Sequence, residues 1–445
     1  MSKPHRPIGT RVAGLNIERS QALTVALGSL AGTGGLFAFQ IILARSLSSS
    51  DFGLLYGALA QVNLLITVAA FGFTGFWQKE FGEQGVIGKD ILDTSVVYLI
   101  FTTLLAVILI ASFAGPLAPN ALGEKLTRIL ALLAIGYTAA EFGSVFSQIF
   151  KRYTHLACWL SVTGVSRALI VTFVVLLGSE LLDPLLLSVL LAASSFLLII
   201  PAGVLLRRVR SGALDTANTS VTTSNSIGPG WVGRLCGLWL ACFPFGIGNI
   251  LYLAYSQFPV IYLGRILGVE AVANYGLAVI VMGVVYHVPS LLMQRVFAID
   301  IHAAVTRSAR DASRIFSNLA LKFCLLGTIV AIVGIAAADH LISIAFGGKY
   351  SDASRMAQIM LVATPFRFLE TVVGLFLMTR GQMKYKSASV AIVSLLQVPL
   401  LATFVKIGGS TGAAISFVVC EILLVGLFYY ALKKKLFNGK NEVRL

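Results

Sequence analysis

From Gln21 almost to the C-terminus, long apolar runs alternate with short polar turns, and none of the runs shows the every-second-residue polarity of a strand. A helix rising about 1.5 Å per residue needs about 20 largely apolar residues to cross a hydrocarbon core about 30 Å thick. That length predicts twelve spans, at 21–44, 53–77, 94–114, 127–149, 156–178, 184–206, 236–262, 271–293, 315–338, 356–379, 386–405 and 411–432. An open sheet cannot satisfy its backbone in lipid, so the runs are read as helices. The expected fold class is an all-α polytopic membrane protein with about 12 transmembrane helices in two six-helix bundles.

The polar positions organise this array. The longest polar stretch, 207–234, contains "SGALDTANTSVTTSNSIGPG", which is too rich in Ser, Thr, Asn and Gly to bury a core of its own. It is read as a cytoplasmic linker between an N-terminal bundle (21–206) and a C-terminal bundle (235–434), flanked by a basic tail at 1–20 and a second tail at 435–445. The halves echo one another: Arg45-x-Leu47 after the first span matches Arg265-x-Leu267 after the seventh, and Tyr56-Gly57 matches Tyr275-Gly276. Two halves of even span number share one orientation, related by an axis along the membrane normal. The first apolar run continues past 20 residues without a cleavage site, so it is a retained span rather than a secretion signal.

Charge fixes the expected orientation. With both termini cytoplasmic, the inner segments hold 24 of the 34 Lys and Arg residues and the outer turns hold 7, the asymmetry of the positive-inside rule. Composition agrees, since 57% of residues are hydrophobic and only 12% charged, against about 25% charged in soluble domains. The net charge of +15 is spread over many short segments with few interleaved aromatics, which argues against nucleic-acid binding. Cys158, Cys236, Cys242, Cys324 and Cys420 lie in or beside apolar spans without metal-ligand spacing, so no disulfide, metal or cofactor is expected.

The turn sequences carry a resemblance. "FQIILARSLSSSDFGLLYGALAQV", "VIYLGRILGVEAVANYGLA" and "IAFGGKYSDASRMAQIMLVATP" resemble segments of Wzx-like flippases, the polysaccharide and lipid-linked oligosaccharide branch of the multidrug/oligosaccharidyl-lipid/polysaccharide (MOP) exporter superfamily. The resemblance implies two bundles in a MATE/MOP-like arrangement facing a central cavity. It also implies a bacterial inner membrane location, transport of an undecaprenyl-diphosphate-linked oligosaccharide, and a setting beside polysaccharide polymerase and export machinery. At "SQFPV", Ser256 to Val260, many relatives carry an acid near Pro259 that this chain lacks.

Ionisable groups inside spans are costly, roughly 2.5–3.5 kcal/mol at the centre on insertion scales, and normally face protein or water. Candidates for the cavity are Arg167, Lys322, Arg367, Arg314, Glu141, Gln148, Asn249 and His287, with Glu370 and Glu421 as coupling acids and no catalytic residue. Tyr137, Glu141, Ser144 and Gln148 share one helical face, as do Asn63, Thr67, Thr74 and Gln78. Arg314, Asn318 and Lys322 step inward along the ninth span. Such cations suit a diphosphate, with Arg167 and Arg367 continuing the lining deeper. Each also has a plain reading: stripes that only join neighbouring helices, an Arg367–Glu370 pair, a snorkelling Lys322, a satisfied core His287, and a neutral Glu421 that has no basic neighbour in sequence.

Small residues add structure: Gly28 and Gly32 form GxxxG, and Pro244, Pro259, Pro289, Pro365 and Pro399 are expected to interrupt helices of the second half. The main alternative is a cation-coupled multidrug exporter, but the first three spans lack interior acids. A membrane enzyme would need an acid/base pair in a sizeable outer loop, where the first turn offers only Asp51.

Overall fold

The computed structural model describes residues 19–84, 87–178, 182–214, 221–222, 230–293, 297, 301, 309–378 and 383–434. Most of the N-terminal tail, the C-terminal tail and linker positions 215–220 and 223–229 lie outside them, as do the inner cations Arg295, Arg307 and Arg380. The first half comprises α1 (Arg19–Ser46), α2 (Ser49–Ile66), α3 (Phe73–Gln84), α4 (Lys89–Leu117), α5 (Ala121–Leu130), α6 (Leu133–Ile149), α7 (Tyr153–Leu177), α8 (Pro184–Leu197) and α9 (Ile199–Arg210). The second comprises α10 (Gly230–Ile266), α11 (Val269–Leu292), α12 (Ala309–Phe346), α13 (Ser351–Leu361), α14 (Thr364–Phe376) and α15 (Met383–Leu432). A two-residue parallel bridge joins β1 (Ile87–Gly88) to β2 (Val221–Thr222).

Among the described residues, nine segments are long and apolar enough to cross a membrane, and α13 with α14, bent by 49°, makes a tenth. The expectation was twelve, and the numbers part at two places. The 50 residues of α15 are two helices merged across Gly409, whose φ of 56° and ψ of −136° are not helical. Unbroken, they would run roughly 75 Å, more than twice the core thickness. The other place is α2 and α3, neither of which passes alone because the passage is interrupted at Thr67–Gly72.

That interruption has identifiable chemistry. Gly72 adopts φ +68°, and a methyl group there would overlap the Cys242 carbonyl of α10. The carbonyls freed by the break are satisfied from neighbouring helices, as backbone in a membrane must be. Thr102 Oγ1 donates to Ala69 O at 2.7 Å, and the Tyr98 hydroxyl donates to Phe71 O. First-half passages are also broken at Ala131–Leu132 and Leu198. By contrast α10 runs continuously through Pro244 and Pro259, and Pro365 sits in the first turn of α14 rather than inside a helix. The expected concentration of breaks in the second half is therefore not seen.

Close helix approach follows the glycines. Methyl groups at Gly28, Gly32 and Gly35 would overlap the backbone of α7 at Ala157, Leu160 and Gly164. The GxxxG face thus seats α1 on α7. Asp51 is absorbed structurally: Ser48 caps α2 by accepting from Asp51 N at 3.0 Å, and its hydroxyl donates to the Asp51 carboxylate at 2.7 Å.

The halves are tied together at the end of the molecule where α1 stops, called here the far end; α1 starts at the tail end. Arg45, in the last turn of α1, donates to Ala345 O at 2.8 Å and to Ile344 O, both at the end of α12. Lys349 returns the contact by donating to Arg45 O and Leu47 O, and the Tyr350 hydroxyl donates to Ala44 O at 2.9 Å. Arg265, at the end of α10, donates to Ala118 O just beyond α4 at 3.1 Å. All these cations meet the negative ends of helices. At the tail end α10 leans on the first half through Phe71 with Trp239, 5.4 Å between centroids, and Arg234 with Asp90 at 3.9 Å.

Candidate functional site: two polar cavities on either side of one helix

Two polar cavities share α10 as a wall. One, of about 300 Å³, is lined by Asn63 and Thr67 of α2, Tyr137 of α6, Thr163 and Arg167 of α7, and Leu253 and Gln257 of α10. The other, of about 260 Å³, lies wholly within the second half, with Tyr252, Tyr255, Ser290, Arg367, Glu370 and Lys386 in its wall. Tyr252 and Tyr255 face one cavity and Leu253 and Gln257 the other, so successive positions of α10 serve both.

The two arginines sit in opposite electrostatic settings. Among the described residues Arg167 has neither an ion pair nor a hydrogen bond, and no carboxylate lines its cavity. The Thr67 hydroxyl on the opposite wall is buried without a partner. Groups left unsatisfied in this way mark a place where a polar ligand gains hydrogen bonds. Arg367 is instead paired. Its Nη1 lies 3.5 Å from Glu370 and 3.4 Å from Glu421, and its guanidinium is stacked 5.3 Å from the Tyr286 ring. The Tyr255 hydroxyl donates to Glu421 Oε1 at 2.9 Å. Glu421 therefore has a basic partner, 54 residues away in sequence, and Arg367 is an ionic keystone rather than a free cation. With Lys386 in the same wall, two cations face two carboxylates and the cluster is charge-balanced.

The other candidates distribute as follows. Thr74 donates to the Glu141 carboxylate and Gln78 Nε2 to Gln148 Oε1 at 3.1 Å, so the lower parts of the two polar stripes zip α3 to α6. Only their upper parts, Asn63, Thr67 and Tyr137, reach the Arg167 cavity. Arg314, Asn318 and Lys322 lie together on the exposed face of α12, opposite buried Phe316, Leu319 and Phe323, and outside both cavities. Asn249 is exposed on α10. His287 has a buried Nε2 without a hydrogen-bond partner among the described residues, so it is not the satisfied core histidine. Reasoning from the sequence alone does not single out Tyr255, Gln257, Tyr286 or Lys386 as site residues. Tyr255 and Gln257 lie on either side of Ser256, and the only signal for them is that polar residues occur on both faces of α10.

A helical membrane fold in two tethered halves, with polar cavities against a shared helix, is the fold of solved transporters of the MOP superfamily. The lipid II flippase MurJ in an inward closed conformation matches at 13% identity over 93% of this chain and 87% of that one, with a TM-score of 0.59. The MATE multidrug transporter DinF-BH in complex with R6G matches at 14% over 98% and 100%, TM-score 0.62. A MOP superfamily transporter from Pyrococcus furiosus, described by a reverse polarity of its binding pocket, matches at 14% over 93% and 95%, TM-score 0.55. No curated protein matches the sequence significantly. The chain belongs to the polysaccharide biosynthesis protein family, whose model covers residues 21–298.

Proposed function

We propose that the protein moves an undecaprenyl-diphosphate-linked oligosaccharide from the inner to the outer leaflet of a bacterial cytoplasmic membrane by alternating access, and is not an enzyme. The observation that carries this reading is Arg167: a guanidinium without a counter-ion among the described residues, in a cavity walled by both halves. A diphosphate arriving there gains charge-assisted hydrogen bonds with no acid to displace. At about 300 Å³ the cavity has the size of a small headgroup site, so the saccharide extends beyond it toward the tail end. Membership of a polysaccharide biosynthesis family supports a glycan cargo, and the fold shared with a lipid II flippase supports a lipid-linked one. A drug exporter for organic cations would need an uncompensated carboxylate in its cavity; Glu370 and Glu421 are both engaged by Arg367, and Glu141, which has no cation against it among the described residues, takes a hydrogen bond from Thr74 and lies outside both cavities.

In this reading the tails and the 207–234 linker are cytoplasmic, the tail end faces inward, and the far-end contacts of Arg45, Lys349 and Arg265 close the outer side. The two halves then rock about the cavities, each ligand driving the change only through its different affinity for the two states. Deleting the gene in its native host tests the proposal. Accumulation of lipid-linked oligosaccharide in the inner leaflet, reversed by the wild-type chain and not by Arg167→Ala, is the expected result. Normal surface glycan with new drug sensitivity would assign the chain to export instead.

A further inference from the structure

A second site lies on the outer wall of the first half at the tail end, where neither cavity reaches. It is a groove of about 480 Å³ between the end of α6, the start of α7 and α9, touching the Arg167 cavity only through the shared Leu198. Its floor is apolar, with Trp159, Val162, Pro201 and Leu205, and its rim carries Arg152, His155 and Arg208. No carboxylate lines it, and none of the three rim residues has an ion pair among the described residues. The turn that sets this rim is specific: Lys151 adopts φ 54°, and Arg152 N donates back to Ser147 O at 2.8 Å. The first turn of α7 starts at Arg152 on the same rim with no side-chain cap, so the positive end of its dipole lies there. Ser147, 1% exposed, lines the groove with a hydroxyl that has no hydrogen-bond partner among the described residues.

We infer that this groove binds an anionic phospholipid of the leaflet at the tail end, with its phosphate between Arg152, His155, Arg208 and the start of α7, and an acyl chain along Trp159 and Leu205. Cations at the mouth of an apolar trough match a phosphate carrying a hydrocarbon chain better than a free ion, which would leave the trough empty. The site goes beyond the transport reading and stands or falls independently of it, because its readout is lipid binding.

Trp159 reports occupancy directly. The full-length protein is placed in vesicles of phosphatidylcholine doped with either brominated phosphatidylglycerol or brominated phosphatidylcholine, and tryptophan quenching is compared. The Trp159→Phe variant identifies the Trp159 share among the chain's four tryptophans. Brominated phosphatidylglycerol should quench that share preferentially, with the preference falling roughly fivefold for each arginine removed in Arg208→Gln and Arg152→Gln/Arg208→Gln. Arg208 is exposed and its side chain has no partner among the described residues, so its single variant reads out even if the double variant folds poorly. Equal quenching by the two lipids, or a preference that survives Arg208→Gln undiminished, would overturn the inference. So would loss of the preference on adding millimolar inorganic phosphate, which would mark a free-anion site, or displacement of phosphatidylglycerol by equimolar undecaprenyl phosphate.

Discussion

Arg167 and Arg367 are each the one basic residue of an apolar span, Arg367 with Glu370 one turn away, and their environments predict opposite phenotypes. Arg367→Ala would leave Glu421, whose side chain is 1% exposed, buried beside Glu370 with no cation against it. Breaking a buried pair from one side costs about 3–5 kcal/mol, so folded protein should fall sharply, and Glu421→Gln in the same chain should restore much of it. Abundance and thermal unfolding in detergent measure both; a stable Arg367→Ala protein would refute the keystone role. Arg167→Ala removes no partner, so it should insert normally while transport falls about 10- to 100-fold, the worth of hydrogen bonds from a charged donor, with Arg167→Lys in between. What could be read in the chain was the cost of each charge; what could not was its partner. Periodicity brings Glu370 to Arg367, but Glu421 and Tyr255 arrive from α15 and α10 by tertiary packing.

Helices were legible where apolar length alone dictates them and less so where a passage is broken. GxxxG in α1 was visible, whereas its receiving groove on α7 was not, because Gly164 stands alone in sequence. Gly164→Leu would drive a side chain into the Gly32 carbonyl, and the α1–α7 contact cannot absorb it. Loss of folded protein is expected, measured as the fraction monodisperse after extraction, while Gly34→Leu, which meets open space, should be tolerated. Proline misled in the other direction. A proline removes one N–H, and α10 continues past two of them, whereas the break after α2 needs Gly72 in a left-handed conformation and donors from α4. Thr102→Val keeps shape but removes the shortest of three hydroxyl donors to Ala69 O, the others being Thr138 at 3.4 Å and Thr103 at 3.5 Å, so stability should drop by about 0.5–1.5 kcal/mol, the net worth of one hydrogen bond. An unchanged melting temperature would mean that Thr138 and Thr103 hold the carbonyl without it.

At the scale of the whole molecule, the echo between Arg45-x-Leu47 and Arg265-x-Leu267 acquires a mechanical meaning. Each arginine ends the first helix of its half and reaches across to carbonyls at the end of the opposite half's third passage, α12 for Arg45 and α4 for Arg265. The far end is thus held by two related clasps, and in the proposed orientation, where that end faces outward, an outward-open state must release both. Even about 2 kcal/mol, a low figure for three hydrogen bonds from charged donors, changes the ratio of two conformations about 30-fold. Arg45→Gln/Arg265→Gln should therefore raise the outward-open population without touching the Arg167 cavity. A cysteine at Asn63, in a background lacking the native cysteines, lines that cavity and reports its access to a membrane-impermeant thiol reagent added outside cells. Labelling should accelerate at least several-fold in the double variant and not in Lys125→Gln, which removes a cation assigned to the same outer side. Identical labelling rates in all three would show that the far end is closed by apolar packing of α2 against α11, where Gly53 meets the Val269 backbone and Tyr56 covers Gly276, and that the arginines only decorate a seam sealed beneath them.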